Sequence, residues 1–289
     1  MVADRLTIRA RPHLDGPRLL LGLSGWMDGG DVATGTVQHL IDAVGAEPIA
    51  RIEPEGFYIY NFPGSMEISA LFRPYTVIAD GLVATCEFPE NIFHADEATG
   101  LVLFCGKEPH LNWEDFADCV FTLASELAVE MLYFLGSYAG VVPHTRDPRL
   151  YSSVSEAGLK AILEPHGLRF SDYQGPAGIS AYLTQLAGEK GIPMATIVAE
   201  IPAYIQGPNP RCIEALTRRT AAILGLSIDL DSLRSTTDGF EDKVSEAIRQ
   251  RPELEDMIHR MESAYDSELF DTQMVDLKQW LQQQGIRLD

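Results

Sequence analysis

Four short segments of this chain are apolar at nearly every position: Leu19–Leu23, Leu101–Cys105, Met131–Leu135 and Thr196–Ile201. A strand whose apolar residues do not alternate with polar ones has no face to offer water, so both of its faces must be covered. Stretches of helical spacing lie between these segments. Trp113–Val129 gathers Phe116, Val120, Leu123, Ala124 and Leu127 on one side, and Arg211–Leu224 gathers Ile213, Leu216, Thr220 and Leu224. Fully apolar strands alternating with amphipathic helices specify an α/β fold with a mainly parallel sheet. The first unit is Arg18–Gly35, a buried strand, a glycine-rich turn and a helix running on through Val37, Leu40 and Ile41. A strand at Pro48–Ile52 completes a β-α-β unit.

The remaining segments decorate this frame. Residues 1–17 read as an edge strand or arm. Glu55–Leu71 reads as an aromatic, turn-rich excursion, and Pro74–Glu87 as a hairpin turning at Asp80-Gly81. Phe93–Glu97 (FHADE) matches no metal-ligand spacing and reads as a solvated turn. Gly136–Pro148 reads as a loop, Leu150–Val154 as a strand, and Ala157–Leu163 and Pro176–Glu189 as helices. Beyond Ser235 no strand pattern remains. Two or three amphipathic helices are expected there, at Phe240–Gln250, Pro252–Tyr265 and Thr272–Gln284. From Thr236 onward 13 Asp and Glu face 6 Lys and Arg. The chain therefore divides into an α/β core, 1–235, and an acidic helical C-terminal extension, 236–289.

Charge excludes several functions. The net charge is −20, from 22 basic and 42 acidic residues. A nucleic-acid footprint needs clustered Lys and Arg to displace counterions, and anionic lipid repels such a chain. No apolar run approaches the ~18 residues of a membrane span, and the N-terminus has no signal-peptide core. Cys86, Cys105, Cys119 and Cys212 show no C-x-x-C spacing and are expected as four buried thiols in a reducing, cytoplasmic setting.

Catalytic motifs come close and fail. Gly25–Asp31 has the glycine spacing of a phosphate loop, but Asp31 stands where that loop needs lysine and Val32 where it needs a hydroxyl. Ser24 occupies the second glycine of a dinucleotide fingerprint. Gly22-Leu23-Ser24-Gly25-Trp26 misses a nucleophile elbow at Trp26. Cys105 and His110 could pair, but a structural cysteine is the plainer reading. No cofactor and no metal set is expected. The turn itself reads as an acid-capped strand-to-helix junction, with Asp28 or Asp31 as the cap.

Three further loops follow apolar strands and so belong at the same C-terminal sheet edge, where α/β proteins place their sites. They carry Lys107 and Glu108, His144 and Arg146, and Asn209 and Arg211. With Trp26, Asp28 and Asp31 these are the candidate pocket residues. The three cations suggest a small anion or an acidic peptide, and Asp28, Glu108, His144, Arg146 and Arg211 are expected to line one concave pocket. Shaping of turns and pairing with carboxylates is the competing reading.

With these loops in place the chain resembles the proteasome assembly chaperone 2 family. The resemblance rests on GWMDGGDVATG (25–35), FPENIF (88–93), LVLFCGKEPHLNW (101–113), LGSYAGVVPHTR (135–146), YQGPAGISAYL (173–183), EKGIPMATIVAEIPAYI (189–205) and PNPRCIEALTRR (208–219), in family order. It implies a three-layer α/β/α sandwich similar to the phosphorylase and hydrolase-like fold. It also implies a homo-oligomer and, as partners, proteasome subunits or another protein; a trimer is the expected state. The expected role is non-enzymatic assembly-chaperone-like contact, the alternative a hydrolase or phosphorylase-like enzyme or anion binder. Some relatives dock through a C-terminal hydrophobic-Tyr-X tail. This chain ends Gly285-Ile286-Arg287-Leu288-Asp289, so that route is not expected.

Overall fold

The structure, a computed structural model, describes residues 5–283. The strands are β1 (Leu6–Ile8), β2 (Arg18–Ser24), β3 (Glu47–Ile52), β4 (Tyr75–Ala79), β5 (Leu82–Glu87), β6 (Ile92–Asp96), β7 (Leu101–Lys107), β8 (Met131–Gly140), β9 (Leu150–Ser152), β10 (Arg169–Phe170) and β11 (Met194–Pro202). The helices are α1 (Val32–Val44), α2 (Met66–Ala70), α3 (Trp113–Glu126), α4 (Gly158–Leu163), α5 (Ile179–Lys190), α6 (Pro210–Leu224), α7 (Asp231–Arg249) and α8 (Pro252–Gln283).

Nine strands form one sheet in the order β1-β3-β6-β7-β2-β8-β11-β9-β10, and β4-β5 stand apart as a hairpin. The four apolar segments are the four central strands. β7, β2, β8 and β11 run parallel, while β3-β6, β6-β7 and β11-β9 pair antiparallel, so the sheet is parallel at its centre and mixed at its margins. β3 runs parallel to β2 across the β-α-β connection but lies three places away, with β6 and β7 between them.

Alternation along β2 assigns the layers. Leu19, Leu21 and Leu23 belong to the core under α3 and α5, and Leu20 to the core under α1 and α6. Gly22 faces α1, where an added Cβ would sit 2.7 Å from Val37 Cγ2 and 3.0 Å from the Ala33 carbonyl oxygen. The missing side chain is what lets α1 lie close on the strand.

Several expectations change. β8 runs on to Gly140, five residues past its apolar run, because its backbone continues to pair with β11. Phe93–Asp96 is strand and only Glu97 begins a turn: His94 and Asp96 lie in β6 opposite Leu103 and Leu101, with buried Phe93 and Ala95 alternating beside them. Cys119 and Cys212 are buried, but Cys105 is half-buried and Cys86 is exposed on the hairpin. The helix expected from Phe240 begins at Asp231, and those expected at Pro252–Tyr265 and Thr272–Gln284 are one helix, α8. Gln284 and the tail 285–289 lie outside the described residues. Among the described residues no helix is long and apolar enough to cross a membrane.

Candidate functional site

The opening turn sits at the C-terminal edge of the sheet, as expected, and backbone geometry holds it. Ser137 of β8 donates from its N–H to the Met27 carbonyl (2.8 Å) and from its hydroxyl to the Gly29 carbonyl (2.7 Å). Gly30 has φ 66°, with Asn209 Cβ 3.0 Å from where a Cβ would stand. Asp28 is the cap. Its Oδ1 accepts from the N–H groups of Ala33 (2.8 Å) and Thr34 (3.1 Å), and its Oδ2 from the Thr34 hydroxyl (2.6 Å). Burial pushes the Asp28 carboxyl above its ordinary range against these bonds, which favour the charged form. Asp31 is exposed, at φ 53°, and makes no cap bond.

Glu108 is a strut. One carboxylate oxygen accepts from the Trp26 N–H (2.9 Å), the other from the Ile179 N–H at the start of α5 (3.1 Å). Gly25, at φ 140°, has no room for a Cβ, which would stand 2.9 Å from Glu108 Cβ. The strut leaves the Trp26 side chain 62% exposed at the edge of a cleft beside α5. Lys107 ends β7. Its N–H donates to Asn91 Oδ1 (3.0 Å), and its carbonyl accepts from the Tyr58 hydroxyl (2.7 Å). Asn209 caps α6, Oδ1 accepting from the Cys212 N–H (3.1 Å), and its own N–H donates to the Gly30 carbonyl (2.8 Å).

His144, Arg146 and Arg211 form a second cluster, in which the chain's own acidic helices engage them. Arg146 makes a two-pronged pair with Asp266 of α8, at 2.8 Å on both oxygens. Arg211 pairs with Glu241 of α7 and lies 3.4 Å from Asp147. His144 is buried. Its Nδ1 is 2.8 Å from the Tyr204 hydroxyl and its Nε2 3.1 Å from Ser245 Oγ of α7, and burial lowers its pKa. The Thr145 hydroxyl donates to Glu262, and the Tyr265 hydroxyl to the Asp147 carbonyl (3.0 Å).

The composition of the loops did not reveal the centre of this clasp. Arg149 pairs with Glu200 of β11 (3.2 Å) and Glu268 of α8 (2.6 Å), with its guanidinium 4.6 Å from the centre of the Tyr265 ring. Arg169 also reaches Glu268. The available signal was Glu200 itself, a lone acid inside an apolar strand, which must find a cation when buried.

This clasp predicts its own acid sensitivity. The hydrogen bonds from Arg146 hold the Asp266 carboxyl below its ordinary 3.8. Burial pushes Glu262 and Glu268 up, but hydrogen bonds from Thr145 and His259 to the first, and from Arg169 to the second, together with nearby positive charge, hold both below 4.5. Lowered values mean that the docked form binds protons less readily than the released form. Docking stability is therefore complete above these ordinary values and falls as pH drops through the lowered ones. Protection of α8 against hydrogen exchange, relative to the intrinsic rate, will fall below about pH 4 while β2 and β11 stay protected. An equal loss of protection in strands and helix would contradict the clasp.

Among the described residues no group of three or more His, Cys, Asp or Glu side chains could hold a metal ion.

The comparisons follow the same frame. A family model described as the PAC2 family matches residues 22–248. The chain belongs to the PAC2 family. A proteasome-assembly chaperone homologue from Mycobacterium tuberculosis is 28% identical, with a TM-score of 0.71 over 83% of this chain and 99% of that one. A protein of unknown function from Corynebacterium glutamicum, 23% identical, superposes with a TM-score of 0.80 over 92% of this chain and 99% of its own. An uncharacterised protein of Methanocaldococcus jannaschii is 22% identical over 233 residues, 79% of this PAC2 chain and 81% of the relative.

Proposed function

We propose that this chain acts by protein contact, as an assembly-chaperone-like, non-catalytic protein that works as a homo-oligomer, with proteasome subunits as its client class. Family membership and the similarity to an assembly-chaperone homologue support the role. One feature of the molecule carries the self-association. From Phe62 to Phe88 the chain leaves the body of the fold as α2 and the β4-β5 hairpin, and every residue of both strands is exposed. Met66 is 84%, Leu71 79% and Leu82 74% exposed. A lone two-stranded hairpin is marginal in water, and a contiguous apolar surface of this kind signals a partner.

A second copy fits this arm. Two chains of charge −20 repel wherever their acidic surfaces meet, so they join best where charge is sparse. The 27 residues of the arm hold one basic and three acidic side chains. Three copies are the expected stoichiometry.

Cys86 on β5 reports the contact. Burial raises the thiols of Cys105, Cys119 and Cys212, the latter two to about 11 and about 12, which leaves Cys86 as the exposed thiol of the four. Labelling of Cys86 by a thiol reagent at pH 8 will be slow at high protein concentration and fast on dilution, in step with the mass from light scattering. Labelling that ignores concentration, with a monomer mass throughout, refutes self-association through the arm. Co-elution with purified proteasome subunits tests the client class, and its absence at tens of micromolar removes it.

A further inference from the structure

The cleft beside α5 encloses about 1100 Å³. α5 turns small residues toward it, Ala181, Thr184 and Gly188 among them. Its floor is Tyr138, Tyr151, Thr196 and Val198 from three strands. Trp26 closes one end, and Asp172 and Glu189 stand on its rim. The two tyrosines lie with ring centroids 6.0 Å apart. Trp26 and Tyr173 present most of their surface to solvent, 62% and 67%.

Charge narrows the occupant. Among the described residues no Lys, Arg or His lines the cleft, and the two formal charges there are both carboxylates. Two cations stand near the floor, Arg149 just before β9 and Arg169 on β10; both pair with Glu268, and Arg169 also hydrogen-bonds the Tyr151 side chain. Aromatic faces bordered by carboxylates favour an ammonium or guanidinium group with an apolar stem, and they repel an anion.

Length narrows it further. The wall runs along α5 from its cap Gly178 to Glu189, twelve residues or eleven steps of about 1.5 Å, ~16 Å in all. That is the span of about five residues of extended chain.

We propose that this cleft binds a short extended peptide segment of about five residues that carries a lysine or arginine beside aromatic or aliphatic side chains. The segment belongs to a partner protein, so the inference rests on the reading of this chain as one that acts by protein contact. Its apolar side chains lie against Trp26, Tyr138 and Tyr173, and its cation meets Asp172 or Glu189.

The test is a randomised pentapeptide array probed with the full chain, followed by anisotropy titrations of the strongest peptides. Bound sequences will be enriched in Lys or Arg together with Phe, Tyr, Leu or Ile, and depleted in Asp and Glu. Ala181 is exposed on α5, so Ala181→Trp fills the cleft without touching the core and will weaken binding at least tenfold. The double variant Asp172→Lys, Glu189→Lys will reverse the charge preference while leaving the thermal midpoint unchanged. Acidic enrichment, binding unaffected by Ala181→Trp, or no binding at millimolar peptide each overturns the proposal. Light scattering on the same variants separates this outcome from the reading beneath it: self-association through the arm is independent of the cleft.

Discussion

A chain carrying Met66→Asp, Leu71→Asp and Leu82→Asp will run as a monomer at concentrations where the native chain self-associates. Each residue is at least 74% exposed in the single chain, so the substitutions disturb no packing within it. In an interface the same positions would bury three carboxylates against apolar surface, at a cost of several kcal/mol each unless they stay in water. An interface of standard size buries about 1,600 Å² and concentrates its energy in a few apolar anchors, so three such changes abolish it. Light scattering reads the mass, and circular dichroism checks that the fold is kept. Unchanged mass in the triple variant would place the contact elsewhere, whatever the order of the oligomer.

The second large effect lies in the clasp. Arg149→Met will destabilise the chain by about 3–5 kcal/mol, because it strands a buried carboxylate. Glu200 and Arg149 have side chains only 9% and 11% exposed and lie 3.2 Å apart. Glu200 also accepts from the Val141 N–H at 2.8 Å, so it cannot swing out without breaking the end of β8. Loss of the arginine also removes its pair with Glu268 and its stacking on Tyr265. The double variant Arg149→Met, Glu200→Gln will recover much of the loss, since no buried charge is then left unpaired. Urea titration measures both, at unchanged slope if the compactness of the two states is unaltered. A loss below about 1 kcal/mol for the single variant, the range of an exposed pair, would mean that Glu200 is solvated.

The central sheet was legible because β2, β7, β8 and β11 are apolar on both faces, a pattern that leaves a strand few alternatives. β6 was not, because His94 and Asp96 alternate with Phe93 and Ala95 on a strand whose other face is half open. The extra turns of α7 were hidden by Thr236, Thr237 and Gly239, poor helix formers held there by packing on α6. At the site, Trp26 and Asp28 could be read from the opening turn. The partners of Arg146 and Arg211 could not, since Asp266 and Glu241 lie 120 and 30 residues further along the chain. Only Trp26 of the cleft was singled out: the rest of the lining is mostly Ser, Thr, Ala, Gly and Tyr drawn from separate segments, and only the fold brings them together.

The clasp also shapes the field that the molecule projects into solution. Arg146, Arg149, Arg169, Arg211 and Arg218 are gathered in one place and matched there by acids. Five of the 22 basic residues are thus engaged by seven carboxylates in this region, so it stays net negative and adds to the acidic field of the molecule. A basic partner arriving by diffusion is oriented before it touches, with its positive side turned toward the acidic surface, the C-terminal helices included. The rate of such encounters falls as salt shortens the reach of the field, which is about 8 Å at physiological ionic strength.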